Sequence, residues 1–332
     1  MAIDVHAHYV PREVVQRLEK EGSRLGIAVE ETAPGRQCLR FDYGLQIRPF
    51  FAKLIEEPSR RIESMAATGI DRQILSVWMD ILGYGLGPER GAVWHRLLNE
   101  LLASFCQRHP ERFSMLASGP LPDAGRAARE LEYAVTQLGA VGGVVAANVE
   151  GTNLGELSLD EYWAAAVESG VPIFLHPTQP SPTPRTRRFN LNVIAQYTFD
   201  TTLTVGSLIG SGVLDRFPSL TLILSHGGGT VPYLIGRFDC MHERSDQAAG
   251  AVAASKPSAY LRRMYYDTIL HDPQVLRYLA SRVEIDRLVI GSDDGFPPAD
   301  LDPLGSLRRA GFTPDEIHQI GERNPRALFR LP

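Results

Sequence analysis

Four apolar runs, far apart in this chain, each end on a residue able to bind a metal ion. They are Ile3-Asp4-Val5-His6-Ala7-His8, Pro172-Ile173-Phe174-Leu175-His176-Pro177, Leu222-Ile223-Leu224-Ser225-His226-Gly227 and Leu288-Val289-Ile290-Gly291-Ser292-Asp293. His6 and His8 stand two apart, the spacing that sends both side chains to one side of a strand. A hydrogen-bonded pair of surface histidines has the same spacing, so this motif decides little by itself. With His176 and Asp293 at two further strand ends it becomes a set of three imidazoles and one carboxylate. Such donors suit Zn²⁺ first, with Mn²⁺ or Fe²⁺ as alternatives. Asp4 shares the parity of the two histidines and is expected to lie deeper. Asp294 competes with Asp293, which is preferred because it directly follows Gly291-Ser292.

The remaining strand-end residue, His226, is followed by Gly227-Gly228-Gly229-Thr230 and a helix expected over Val231–Asp239. Imidazole titrates near pH ~6.5, which suits a general base acting on water or substrate. A histidine capping the helix beside a flexible turn is the plainer reading. Two arginines are candidates for holding a substrate carboxylate, because the guanidinium fork matches that group: Arg48, in Ile47-Arg48-Pro49-Phe50, and Arg237, in Gly236-Arg237-Phe238-Asp239. Arg237 could instead pair with Asp239 or Asp215, and Arg48 could sit in solvent. Trp78, Asp80 and Tyr84, which follow the second strand, are candidates for the pocket wall. His95, His109, His242, His271 and His318 read as ordinary helix or loop residues. The three lysines (Lys20, Lys53 and Lys256) are all far from Gly142–Asn148, the fourth strand, where two-metal barrel hydrolases carry a carbamylated lysine. One metal is expected.

These residues need a scaffold that collects strand ends. Strand-like runs fall at 3–8, 72–78, 113–118, 142–147, 171–176, 220–226, 264–268 and 287–292, with amphipathic stretches such as Ala92–Arg108, Ala124–Leu138 and Leu159–Ser169 between them. Ser158, Asp160 and Glu161 mark the start of the last of these and Gly170 its end. Eight alternations give an α/β fold of the (β/α)₈ type, a TIM barrel, in which strand C-termini form one polar mouth. The whole chain, 1–332, reads as one such barrel. The rhythm breaks over residues 12–57, an expected flap or small β-subdomain inserted after the first strand and including the alternating stretch Gln37–Tyr43. Thr178–Arg188, rich in Pro, Thr and Arg, is expected to form a second extended loop at the same end.

Composition narrows the partners. Over 332 residues, a 44% apolar and 22% charged content is that of a soluble globule. A net charge of −5 speaks against nucleic acid or a membrane surface as partner. No apolar run approaches the ~18 residues of a membrane span. Cys38, Cys106 and Cys240 are an odd, widely spaced count that reads as reduced thiols, and the first strand begins too early for a signal peptide. A cytoplasmic location is expected.

Taken together the motifs resemble the amidohydrolase superfamily, in particular its branch of metal-dependent decarboxylases that includes 2-amino-3-carboxymuconate-6-semialdehyde decarboxylase. The resemblance runs from Ile3-Asp4-Val5-His6-Ala7-His8-Tyr9-Val10-Pro11 through Arg48-Pro49, Arg61-Ile62-Glu63-Ser64-Met65 and His176-Pro177. It continues with His226-Gly227-Gly228-Gly229, Leu234-Ile235-Gly236-Arg237-Phe238-Asp239, Gly291-Ser292-Asp293 and Asn324-Pro325-Arg326-Ala327-Leu328-Phe329. It implies that His6, His8, His176 and Asp293 hold zinc and that His226 is catalytic. It also implies that Arg48 and Arg237 bind substrate carboxylate, the latter from a neighbouring subunit of a homodimer or larger assembly. The chain departs from the branch at Thr178-Gln179, where Trp-Asp is usual, at Asp294-Gly295 and at Val77-Trp78-Met79-Asp80. All three lie on the expected pocket wall, where substrates are chosen.

The expected reaction is decarboxylation of a small unsaturated or aromatic carboxylic acid, using metal-activated water and His226 as base, with Asp293 able to relay the proton. Hydrolysis of a cyclic amide or lactone and hydration of an unsaturated acid use the same kind of site. The two arginines favour the acidic substrate.

Overall fold

In the computed structural model, which describes residues 1–178, 183–244 and 250–331, every expected barrel strand is present. They are β1 (Ile3–His8), β4 (Arg72–Ser76), β5 (Phe113–Ala117), β6 (Gly142–Ala146), β9 (Ile173–His176), β10 (Leu222–Leu224), β11 (Met264–Asp267) and β12 (Leu288–Val289). They form one parallel sheet in the order β1-β4-β5-β6-β9-β10-β11-β12. The sheet turns back on itself: Val5 N–H donates to Ile290 O at 2.8 Å, and Ala7 bridges Asp294. This is a (β/α)₈ barrel. Its strands are short and buried along all or nearly all of their length, the pattern of a parallel sheet covered on both faces.

The covering helices are α1 (Glu13–Leu25), α2 (Pro58–Thr68), α3 (Pro88–Gln107), α4 (Ala124–Tyr133), α5 (Asp160–Ser169), α6 (Tyr197–Gly210), α7 (Val213–Arg216), α8 (Val231–His242), α9 (Pro273–Val283), α10 (Pro303–Arg309), α11 (Pro314–His318) and α12 (Asn324–Phe329). Their starts have local causes. Asp123 accepts from Arg126 N, Asp272 from Gln274 N and Val275 N, and Thr313 and Glu316 form a capping box. Ser158 does not cap α5. Leu159 occupies that position without a side-chain cap, leaving Asp160 and Glu161 to meet the helix dipole, while Gly170 ends the helix at φ 62°.

Residues 12–57 are not all β. Their first part is α1, whose Val14, Val15, Leu18 and Leu25 are buried. An antiparallel hairpin follows, β2 (Ile27–Ala33) with β3 (Arg36–Phe41), in the register Ile27↔Phe41. The chain then runs through Arg48 and a short turn over Ala52–Ile55 to α2. A second small hairpin, β7 (Asn148–Val149) with β8 (Thr152–Asn153), had no clear alternation in the sequence to announce it. Of the loop expected over Thr178–Arg188, residues 179–182, Gln179 among them, lie outside the described residues. No helix among the described residues is long and apolar enough to cross a membrane.

Candidate metal centre and pocket

At the C-terminal mouth of the barrel, His6, His8, His176 and Asp293 bring one donor atom each to within 4.8 Å of one another, and all four are buried. His6 Nε2 and His8 Nε2 are 3.0 Å apart, and each is 3.3 Å from Asp293 Oδ1. Ligands bound at about 2.1 Å around a single ion lie roughly 3.0–3.4 Å from one another. The spacing of His6, His8 and Asp293 therefore fits one divalent cation, with His176 within reach of the same point. Two of the four donors, His176 Nε2 and Asp293 Oδ1, are buried and have no hydrogen-bond partner. Such atoms are costly in a folded protein unless something binds them.

Each imidazole is turned by an oxygen at its other nitrogen. His6 Nδ1 donates to Asp267 Oδ2 at 2.6 Å, His8 Nδ1 faces Ser76 Oγ at 3.0 Å and Val77 O at 3.3 Å, and His176 Nδ1 donates to Pro177 O. With Nδ1 holding the proton, Nε2 keeps a lone pair for the metal. Burial depresses the basicity of His8, and of His176 still further, the second also sitting beside three other imidazoles. Burial acts the same way on His6, but the carboxylates of Asp293 and Asp267 outweigh it and raise its pKa to about 10. Asp293 is held well below the carboxylate range: burial opposes this, and His6, His226 and His8 overcome it.

The competing acids sort themselves by direction. Asp293 is in the left-handed region at φ 57°, and the next residue turns away from the centre. Asp294 accepts from Lys53 Nζ at 2.7 Å, Gln73 Nε2 at 3.2 Å and Arg61 Nη1 at 3.1 Å, a partly buried network outside the donor group. Asp4 also lies outside it, bonded to Ser292 Oγ at 2.6 Å and Gln73 Nε2 at 3.1 Å, with burial lifting its pKa to about 6.

Beside the donors stands His226, its Nε2 3.8 Å from Asp293 Oδ2. It has φ 52° and begins four consecutive residues with positive φ. A Cβ at Gly229 would meet Thr198 O at 2.2 Å, so glycine is required where this turn passes under α6.

A pocket of about 780 Å³ opens above the centre, lined by His176, His226 and Asp293 on its floor. Arg48, Trp78 and Asp80 line its wall. Arg48 is a quarter to a third exposed, donating to Tyr197 Oη at 2.9 Å and pairing with Asp80 at 3.4 Å. Trp78 is packed among Phe50, Phe51 and Phe296, ring centroids 5.6–6.2 Å away. Tyr84, the other candidate from this exit, does not line the pocket. It is half-buried against the core, and its hydroxyl accepts from Ala146 N. Arg237 is exposed on α8, outside its own chain's pocket, and it pairs with neither Asp239 nor Asp215.

Several pocket residues were not singled out by sequence. Val193, Ile194 and Tyr197 line the pocket from the π-helical turn Asn192–Gln196 and the start of α6. His271, read as an ordinary loop residue, lines it too, from a position at φ 55° after β11. No ligand-type pattern surrounds these residues in the sequence. Asp267 is different: its run Met264-Tyr265-Tyr266-Asp267 ends on an acid at a strand end, as the metal motifs do.

The amidohydrolase family model matches residues 3–331. The chain is 26% identical to 2-amino-3-carboxymuconate-6-semialdehyde decarboxylase of Dictyostelium discoideum, over 91% of this chain and 84% of that protein. It is 29% identical to 6-methylsalicylic acid decarboxylase of Penicillium expansum, over 98% and 93%. Among solved structures, 5-carboxyvanillate decarboxylase LigW from Sphingomonas paucimobilis is similar with a TM-score of 0.83 at 25% identity, covering 100% of this chain and 99% of that one.

Proposed function

The chain belongs to the amidohydrolase family, and from that premise we propose that it is a metal-dependent decarboxylase of a small aromatic or unsaturated carboxylic acid. The observation that carries the reading is one pocket whose floor holds His226 and two of the four clustered donors, His176 and Asp293, with a guanidinium, Arg48, on its wall. The names of the relatives support it: two proteins aligned over most of their length, and one solved neighbour, are decarboxylases.

His6, His8, His176 and Asp293 would hold the ion, zinc first and manganese next by their donor chemistry. When bound, it would supply positive charge that polarises substrate oxygens and acidifies water. The chain's own groups do the rest. Arg48, steadied by Asp80 and Tyr197, anchors an anionic oxygen of the substrate and orients its ring. Trp78, Phe51 and Phe296 form an aromatic wall against which a flat ring packs, excluding water from the carboxylate. His226, with Asp293 Oδ2 3.8 Å from its Nε2, delivers a proton to the carbon bearing the carboxylate, which becomes tetrahedral. The carbon–carbon bond then breaks, carbon dioxide leaves, and the bonding electron pair restores the conjugation. The delivered proton stays on carbon, and the histidine takes another from solvent.

Arg237 fits a homodimer in which it serves the neighbouring copy's pocket. Tyr233 is exposed on the same helix, and Phe199 and Leu203 are exposed on α6, giving an apolar face for that contact. The three free cysteines are in keeping with a cytoplasmic protein.

The test is carbon dioxide release by zinc- or manganese-reconstituted protein, across hydroxybenzoic acids and carboxymuconate semialdehydes, with chelated protein as control. Metal-dependent release is expected. Turnover of lactones or cyclic amides, with no acid decarboxylated, would replace this reading with a hydrolase.

A further inference from the structure

We infer that Asp267 is a positioning residue whose one carboxylate grips both His6 and the backbone of His226, so that the metal cradle and the proton-delivering histidine are set together. The inference rests on the reading of His6 as a metal ligand.

Asp267 ends β11 and is completely buried. Its Oδ2 accepts from His6 Nδ1 at 2.6 Å and from His226 N–H at 2.9 Å. Its Oδ1 accepts from Gly227 N–H at 2.8 Å and from Ile269 N–H at 3.2 Å. No lysine or arginine pairs with it among the described residues. A buried carboxylate without a cation is unfavourable unless hydrogen bonds saturate it, and here four donors do so.

Those donors join two parts of the site. His226 and Gly227 have φ 52° and 60°, and successive N–H groups in that conformation form a concave nest for an anion. The anion in this nest is the Asp267 carboxylate. It sustains a left-handed backbone at a histidine, a residue that adopts this conformation only under constraint. The same oxygen that accepts from His226 N–H also fixes the His6 ring with Nε2 toward the other donors. Packing keeps the two strand ends in touch: a Cβ at Gly291 would lie 2.8 Å from Asp267 Cβ and 3.0 Å from His6 Cβ.

The experiment compares zinc and manganese affinity, by competition with a chelator, in wild type, Asp267→Asn and Tyr266→Phe. Asparagine keeps the shape but turns an NH₂ group toward one pair of the four donors. A 10- to 100-fold loss of affinity is expected for Asp267→Asn, the range for removing a partner that orients a ligand. Tyr266→Phe removes only a neighbouring buried bond, from Tyr266 Oη to Leu261 O at 2.9 Å. It should lower the melting temperature and leave affinity unchanged. Wild-type affinity in folded Asp267→Asn would overturn the assignment.

If that variant does not fold, ¹⁵N spectra of the wild-type imidazoles decide. A zinc-loaded His6 protonated on Nδ1 upholds the grip, and one protonated on Nε2 overturns it. If wild type binds neither ion, it is the metal reading that fails. The same spectra of metal-free protein then judge Asp267, through the presence or absence of a hydrogen-bonded His6 Nδ1 proton.

Discussion

The floor and the wall of this pocket are built by opposite means. The four donors stand at or just beyond the ends of barrel strands and are buried, His6 turned by Asp267 and His8 by Ser76 of other strands, and the half-buried His226 has its backbone N–H held by Asp267. The wall comes from connecting segments: Arg48 from the stretch after the β2–β3 hairpin, Ile194 and Tyr197 from the turn into α6, His271 from the loop after β11. Ile194 is 63% exposed, whereas His6 and His8 have no exposure at all. On the proposed function, chemistry that must be held within a fraction of an ångström is placed on the scaffold, and contacts that would choose a substrate are placed where the chain can vary without disturbing the barrel.

That contrast is broken most severely at the floor. Replacing His176 with Ala removes a donor whose Nε2 has no other partner. Metal content by mass spectrometry should fall, and turnover with it, by on the order of 10³-fold or more, since a catalytic ion supplies several kcal/mol to a transition state. Full activity in a metal-free variant would detach the floor from the reaction altogether. His226→Gln comes next. It is expected to keep the metal and lose about 10²–10⁴-fold in kcat, the range for a positioned acid or base. Unchanged turnover with the metal still bound would remove the histidine from its assigned role.

The same contrast governs what the sequence could reveal. The floor was legible because strand ends leave a double mark: an apolar run that stops, and a ligand-type residue where it stops. His6, His8, His176, His226 and Asp293 all carry it, and eight alternations of strand and helix sufficed for the barrel. Asp267 carries the mark as well, yet an isolated acid after two tyrosines looks like any strand exit until its four hydrogen bonds are seen. The wall leaves no such mark. Val193, Ile194 and Tyr197 are apolar or aromatic residues before a helix, and nothing in their spacing separates a pocket wall from a core. Arg48 was a plausible carboxylate ligand among many arginines, and only its contacts with Asp80 and Tyr197 bring it to the pocket. α1 was hidden inside residues 12–57 because Gly22, Gly26, Pro34 and Gly35 made the whole stretch look irregular.

Changes on the wall should act more on recognition than on chemistry. Arg48→Lys keeps a charge but loses the planar guanidinium, whose Nη2 reaches both Tyr197 and Asp80 and whose remaining N–H groups are left to meet an anionic oxygen. A rise in KM of about 10-fold is expected, with a smaller change in kcat, consistent with one charge-assisted contact of roughly 1.5–3 kcal/mol being weakened but not abolished. A fall in kcat at constant KM would move Arg48 from binding into the chemical step. Ile194→Ser should do less: its effect is a few-fold change in kcat/KM, larger for acids with an apolar ring substituent, because only part of one side chain's burial is lost.

The smallest expected effect lies where wall and floor are tied together. Asp200, on α6, accepts from Asn148 Nδ2 at 2.9 Å on both carboxylate oxygens, joining the helix of the wall to the segment that leaves β6. Burial raises its pKa to about 6, with the Asn148 bond resisting the shift. The folded protein thus binds this proton more tightly than the unfolded chain, whose aspartate titrates near ~3.9. The ionised form is an unfavourable load on the fold, present in full above pH 6 and relieved as pH falls through 6 toward 4. Asp200→Asn carries no such charge, so its melting temperature relative to wild type should be higher at pH 7 than at pH 4.5. Partial exposure limits the difference to about 1–3 °C. An equal offset at both pH values would mean that solvent reaches the carboxylate. The tie between wall and floor would then be an ordinary surface contact, and the wall freer to move than the buried floor beneath it.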